Sequence, residues 1–378
     1  MEIAIIGGGI TGLTTALALN KLGFSCKVYE QAPQLNEIGA GIWMQPNAMK
    51  VLNWLGIGDE IRQAGTQLEN VAITNQNLVP LRKPNNQFVT DNKGNKITSI
   101  HRAKLQDVLY QSLPSETVFL GHDYQGHSIE NDKVIINFKG KKIQADILLG
   151  ADGIHSKVRN QLVPNSKIRY SGQTCWRGIS DINLPKNLSA CGYEAWGHQI
   201  RFGFANVAKN KVYWFAVVKA PQRQNGPANL KQHLLDTFND FDKTVAEIIK
   251  NTPEEKVLHN DIIDLKRIDQ WSQGRVCLLG DAAHATTPNM GQGAGQGVED
   301  AYYFSNILSH HSDYEKAFEA FEKERRKKVD YIVNTSWQFG KMAHSTIGQS
   351  FLKLAIKLTP EKTMLKQMDQ LYSIKEQF

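Results

Sequence analysis

Cysteine is scarce in this chain: four in 378 residues, at Cys26, Cys175, Cys191 and Cys277. No two stand in a C-x-x-C pair, which argues against a zinc ribbon or a dithiol redox centre, and there are too few for a disulfide scaffold. Neither a disulfide framework nor a metal site is expected. Long apolar runs are missing too. None approaches the roughly 18 residues that a spanning helix needs, and mean hydropathy is −0.39, so no integral membrane segment is expected. Proline (12) and glycine (30) are too few for a collagen-like or low-complexity chain. The start lacks the cationic and apolar regions of a secretory signal: residues 2–6 read Glu-Ile-Ala-Ile-Ile and a glycine turn follows. The expectation is a cytoplasmic protein with reduced thiols.

A strong charge of either sign is also absent. Lys and Arg number 44 against 37 Asp and Glu, a net +7. The densest run, Lys323 to Lys328, reads as a solvated helix face, and no nucleic-acid partner is expected. What the chain does have is length. At about 150 residues per domain it holds two to three domains, enough to bury a large core without staples.

The first thirty residues form a complete unit. Residues 3–6 are a short apolar run, as in a central parallel strand. Gly7-x-Gly9-x-x-Gly12 makes the turn, and Leu13, Ala16, Leu17 and Leu19 follow at helical spacing. Residues 25–29 read as a second strand, ending at Glu30. In such a turn Gly7 permits the tight bend, Gly9 lets the backbone approach a pyrophosphate, and Gly12 lets the helix pack on the strand. The phosphates then meet free N–H groups at the positive end of the helix dipole. Glu30 stands 18 residues past Gly12, close to the roughly 20 expected for a carboxylate on ribose hydroxyls. It argues against a 2′-phosphate there. The unit predicts dinucleotide binding without separating NAD from FAD.

Farther along, helices are expected near residues 46–55 and 100–113, hairpin strands over 117–150, and a β-rich aromatic region over 165–220. A helix is expected over 229–250, a short strand over 275–279, and a glycine-rich loop with long helices over 291–340. Two further segments carry chemistry. Gly150-Ala151-Asp152-Gly153 follows an apolar strand, with Ser156 and Arg159 close behind. Near the end, Gly280-Asp281 follows another strand, then Pro288 and the run Gly291-Gln292-Gly293-Ala294-Gly295-Gln296-Gly297 open a helix. His284 reads as a structural part of its turn.

With these three segments in order, residues 1 to about 335 resemble the group A flavoprotein monooxygenases. These are the single-component FAD aromatic hydroxylases, such as salicylate hydroxylase and the flavin-dependent urate hydroxylases. The resemblance implies an α/β (α+β overall) fold: a Rossmann-like FAD-binding domain with a parallel sheet (1–70, 98–164 and 266–340). A β-sheet substrate domain interleaves with it (71–97 and 165–265), and a C-terminal helical tail follows (341–378). It implies that Gly7, Gly9, Gly12, Glu30, Arg102, Asp152, Asp281, Pro288, Gly291, Gln292, Gly293, Ala294 and Gly295 hold FAD. It also implies that NADH or NADPH serves as a transient reductant, and that O2 hydroxylates a small aromatic or heteroaromatic substrate through a flavin C4a-hydroperoxide. An FAD-dependent epoxidase or antibiotic-inactivating monooxygenase is the alternative, ahead of a non-catalytic flavin-binding protein. A monomer or homodimer fits either.

Substrate residues should come from the β-rich middle. In residues 212–217, strand alternation puts Tyr213 and Phe215 on one face and Trp214 and Ala216 on the other. Rough alignment with urate hydroxylases places Tyr213 and Arg177 at substrate positions. Pocket and sheet-core readings both stay open for Tyr213, and Arg201 is read as a surface arginine. In the tail, residues 351–358, with Lys353 and Lys357, are amphipathic and read as a helix packed on its own domain; docking on a membrane surface or a lipophilic, quinone-like substrate is the alternative.

Overall fold

A computed structural model describes residues 1–35, 40–223 and 226–378. Its first sheet is built on Glu2–Ile6, which pairs in parallel with Ser25–Tyr29 on one side and Ile147–Gly150 on the other. Val276–Leu278 adds a fourth parallel strand beyond Ile147–Gly150. Nearly every residue of the central strands is buried, which is why they read as continuous apolar runs instead of alternating ones. The register aligns their carboxyl ends. The Ala151 N–H donates to the Ile6 carbonyl (2.8 Å), that of Leu279 to Gly150 (2.9 Å), and that of Gly7 to Tyr29 (2.9 Å). Gly7, Glu30, Asp152 and Gly280-Asp281 therefore emerge side by side at one edge. This is the crevice where open parallel sheets bind ligands.

The second sheet has six strands in the order Leu258–Leu265, Ile168–Ser180, Lys211–Lys219, Arg201–Ala208, Cys191–Trp196, Asn70–Asn75. All neighbours are antiparallel except the last pair. One face is an apolar core. Phe202 stacks on Trp214 with centroids 5.5 Å apart and planes 8° from parallel, and Leu234, Phe238, Val245 and Ile248 cover them. Those four residues lie on or beside two helices, Leu230–Thr237 and Lys243–Lys250, where the sequence predicts one. The break follows Phe238, and Asp242 caps the second helix by accepting from the Thr244 N–H at 2.9 Å.

The long helices Gly293–Ser309 and Tyr314–Ala343 and the shorter Thr346–Leu358 and Glu361–Tyr372 complete the chain. Among the described residues no helix is long and apolar enough to cross a membrane. The basic run near residue 325 is not the solvated face its composition suggests. Arg325 is 1% exposed and lies inside the protein against Glu299 and Asp300. Arg326 sits over the Trp271 ring, while Lys323 and Lys327 do face solvent.

Candidate functional site

At the first turn, Gly7 has φ +109°, and a Cβ on Gly12 would lie 1.9 Å from the Gly7 carbonyl oxygen. The helix Ile10–Lys21 can approach its strand this closely only because that side chain is missing. A Cβ on Gly9, by contrast, would meet nothing within 4 Å, so the open side of the turn faces outward at the helix N-terminus. Glu30 braces the turn. One of its oxygens accepts from the Gly8 N–H (2.7 Å) and the other from the Ala32 N–H (2.8 Å).

The late glycine-rich segment meets this turn directly. Thr11 fills the space that side chains on Gly280 and Gly297 would need, with virtual Cβ distances to its Oγ1 of 2.5 and 2.1 Å. Gly297 therefore serves a helix crossing, while Gly291, at φ +62°, ends the half-buried turn Pro288–Met290. Gly293 and Ala294 begin the helix that follows, and Gly295 is buried near Asn47. Gln292 is fully buried. Its Oε1 accepts from Asn47 (3.0 Å) and Gln296 (2.9 Å), while its Nε2 has no protein partner.

Beneath that helix lies an ion network that no local motif announces. The Arg325 guanidinium donates to Asp300 (2.8 Å) and Glu299 (2.6 Å). Lys328 reaches Glu299 at 2.7 Å. Asp300 also accepts from the Gly280 N–H (2.8 Å) and pairs with His284 Nε2 (2.6 Å). Despite its burial, Asp300 is held down to about 2 by His284 and Arg325. The network clamps the Gly280-Asp281 turn to the helix, and His284 is spent on that clamp.

Asp281 and Arg102 retain exposed surface, yet protein crowds their charged groups. Burial is the largest influence on each, raising the Asp281 carboxyl and lowering the Arg102 guanidinium. Each partly offsets the other's shift, which places them in mutual reach. Arg177 opposes Arg102 from the second sheet. Asp152 is used differently. One oxygen accepts from the Ser156 hydroxyl (2.5 Å), the other from the N–H groups of Lys157 (2.8 Å) and Val158 (3.2 Å), so it braces the start of the helix Lys157–Leu162. Buried Arg159 ties that loop to the Gly280-Asp281 turn through the Ala282 carbonyl (3.2 Å).

The second sheet turns its other face toward this crevice. The register sets Ile179 opposite Tyr213 and Arg177 opposite Phe215, so these side chains share the face away from Trp214. Buried Tyr213 packs on the backbone of Gly41, where a Cβ would stand 2.3 Å from its ring. Burial drives the Tyr213 phenol well above its ordinary range, with Arg177 pulling the other way. Arg177 donates to Asn260 Oδ1 at 2.7 Å, while its buried Nε finds no protein partner.

Arg201 is not a surface residue. It is 2% exposed and pairs with Glu194 (3.0 Å) and with Asn289 Oδ1 (2.6 Å) in the Pro288–Met290 turn; its Nε too lacks a partner. Antiparallel pairing sets it opposite Val217, and the burial follows from that register. His344, which sequence reasoning also passed over, is buried beside it. Burial and the Arg201 charge hold its imidazole down to about 4, so it is neutral near pH 7.

The sequence pattern of the FAD binding domain family matches residues 1–336. The chain belongs to this family. The aurachin C monooxygenase/isomerase of Stigmatella aurantiaca is 36% identical over 343 residues, covering 90% of this chain and 89% of that protein. The 2-heptyl-3-hydroxy-4(1H)-quinolone synthase of Pseudomonas aeruginosa is 29% identical, with the same shares covered. The structure of Klebsiella pneumoniae HpxO with FAD and uric acid superposes with a TM-score of 0.87 at 25% identity, covering 98% of this chain and 96% of that one. This family member is an FAD-dependent monooxygenase of the aromatic hydroxylase type. Its residues fit the cofactor. The open Gly9 turn at a helix N-terminus suits a pyrophosphate, and the orphaned Gln292 Nε2 donor suits a flavin carbonyl.

Proposed function

We propose that this protein uses NADH or NADPH and O2 to hydroxylate a planar nitrogen heteroaromatic of the quinolone kind, held between the Pro288–Met290 turn and the Tyr213 face of the second sheet. The observation that carries the reading is that face itself. Tyr213, Phe215, Arg177 and Arg201 line up on it, and Arg201 links it to the turn through Asn289. The names of two relatives, a monooxygenase/isomerase and a quinolone synthase, support the substrate class.

In this reading residues 1–70, 98–164 and 266–340 hold FAD, and 71–97 and 165–265 hold the substrate. When bound, FAD supplies the oxygen-transfer chemistry. Gly7, Gly9 and Gly12 seat the pyrophosphate, and Glu30 shapes the turn beside it. Arg102 and Asp281 set the charge of the crevice, with Asp152 bracing its wall. Pro288, Gly291, Gln292, Gly293, Ala294 and Gly295 border the reactive ring and shield it from water.

Arg177 and Arg201 each offer a free Nε–H to a carbonyl or oxyanion of the substrate, fixing its orientation. The Tyr213 hydroxyl, kept protonated, donates a hydrogen bond and does not act as a base. The test is steady-state NAD(P)H oxidation by the FAD-loaded protein with 2-alkyl-4-quinolones, uric acid and hydroxypyridines. The expected result is stimulated oxidation with a quinolone and one labelled oxygen atom from O2 in its product. Oxidation that yields only H2O2 with every substrate would sink the proposal.

A further inference from the structure

The described residues leave nine large apolar side chains exposed, and four of them sit on one helix, Thr346–Leu358. They are Ile347 (85% exposed), Phe351 (60%), Leu354 (54%) and Leu358 (70%). Spacings of four, three and four residues line them up in one stripe. The opposite face is packed: Gln349 is buried and donates to the Ala343 carbonyl (3.2 Å), with Leu352 and Ile356 half-buried beside it. The tail helix is thus docked on its own domain by one side only, and the side left bare is apolar.

The helix is held at both ends. Gln199 donates to the Thr346 hydroxyl at 2.9 Å, and Arg82 to the Ile356 carbonyl at 3.3 Å. Gln199 leads into Arg201–Ala208, and Arg82 lies soon after Asn70–Asn75, so the stripe belongs to the substrate side of the molecule and not to the nucleotide crevice. The helix carries Lys353 and Lys357 and no Asp or Glu. These two cations stand one turn apart on the flank of the stripe, an arrangement that repels itself unless an anion lies alongside. Burial and Lys357 both lower the Lys353 ammonium, with no carboxylate among the influences on it.

We propose that Thr346–Leu358 docks the protein on the surface of a phospholipid bilayer containing anionic lipid. The stripe would enter the acyl boundary and the lysines would meet the headgroups. No described helix is long and apolar enough to span, so the attachment is peripheral. Four partly exposed side chains present on the order of 500 Å² of apolar surface, within the size of the largest, often functional, patch of a monomer and short of the roughly 800 Å² per partner of a stable dimer. The docking is independent of the reaction proposed above.

Flotation of the FAD-loaded protein with phosphatidylcholine vesicles, with and without phosphatidylglycerol, tests it. Binding is expected with phosphatidylglycerol and should weaken with salt. Phe351→Ser with Leu354→Ser should weaken it at least about tenfold, and Lys353→Gln with Lys357→Gln roughly fivefold per lysine, with melting temperature and flavin content unchanged. Should the double serine variant melt early, Leu358→Ser at the helix end gives the same reading with less disturbance. Absence of wild-type binding overturns the proposal, as does equal binding by the serine variants. A wild-type dimer that the stripe substitutions dissociate would assign the stripe to a second copy instead.

Discussion

At the ends of the parallel strands, Gly7, Gly9 and Gly12 leave the backbone bare, and in the proposed reading that backbone is the surface a phosphate meets. On the second sheet the reverse holds: Arg177, Arg201 and Tyr213, the proposed substrate contacts, are long side chains whose direction is set by register. At Gly7 and Gly12 the first region has no room for an added atom. At Tyr213 the second should tolerate loss of the hydroxyl oxygen with little effect on the fold. One region is therefore fragile in structure, and the other chiefly in chemistry.

The sharpest way to break this contrast is Gly12→Ala. A methyl 1.9 Å from the Gly7 oxygen must push the helix off its strand, at roughly 3 kcal/mol or more. Little FAD should be retained, and the melting temperature should fall. A variant with normal flavin content would show that the turn yields. Next comes acid stability. The Asp300 carboxyl, held down to about 2, contributes stability above pH about 4 that is lost as pH falls toward 2. The contribution is on the order of 2 kcal/mol. Asp300→Asn should be less stable at neutral pH and should flatten that limb of the unfolding curve; an unchanged acid limb would place the effect elsewhere.

Asp281→Ala should weaken FAD about 10- to 100-fold, as expected for lost bonds to a charged group. The apoprotein should still melt normally, because the residue stands at the crevice mouth. Wild-type flavin occupancy on equilibrium dialysis would remove Asp281 from the cofactor site. The smallest structural change is Tyr213→Phe. It keeps ring volume, so melting should barely shift. Product formation should fall at least about tenfold, with unchanged flavin and more H2O2. If the mutant instead loses about 1 kcal/mol and keeps its coupling, Tyr213 belongs to the sheet core and the contrast between the regions weakens.

The sequence by itself determined one part of the crevice, the first strand–turn–helix unit. Its parts are contiguous: a strand, a glycine turn, a helix and an acid lie within thirty residues, and steric rules acting on neighbours suffice to read them. The strand alternation that separates Tyr213 from Trp214 was legible for the same reason. Only the tertiary structure decided where the charges went. Arg201 is buried because Glu194 and Asn289, the latter 88 positions away, compensate it. Arg325 leaves a basic run for the interior because Glu299 and Asp300 wait there. The tail helix shows the same limit: periodicity gave its amphipathic stretch, but which apolar side meets protein and which stays bare is fixed by contacts with Ala343, Gln199 and Arg82. The cost of burying a charge or baring an apolar side chain depends on partners that only the folded chain brings near.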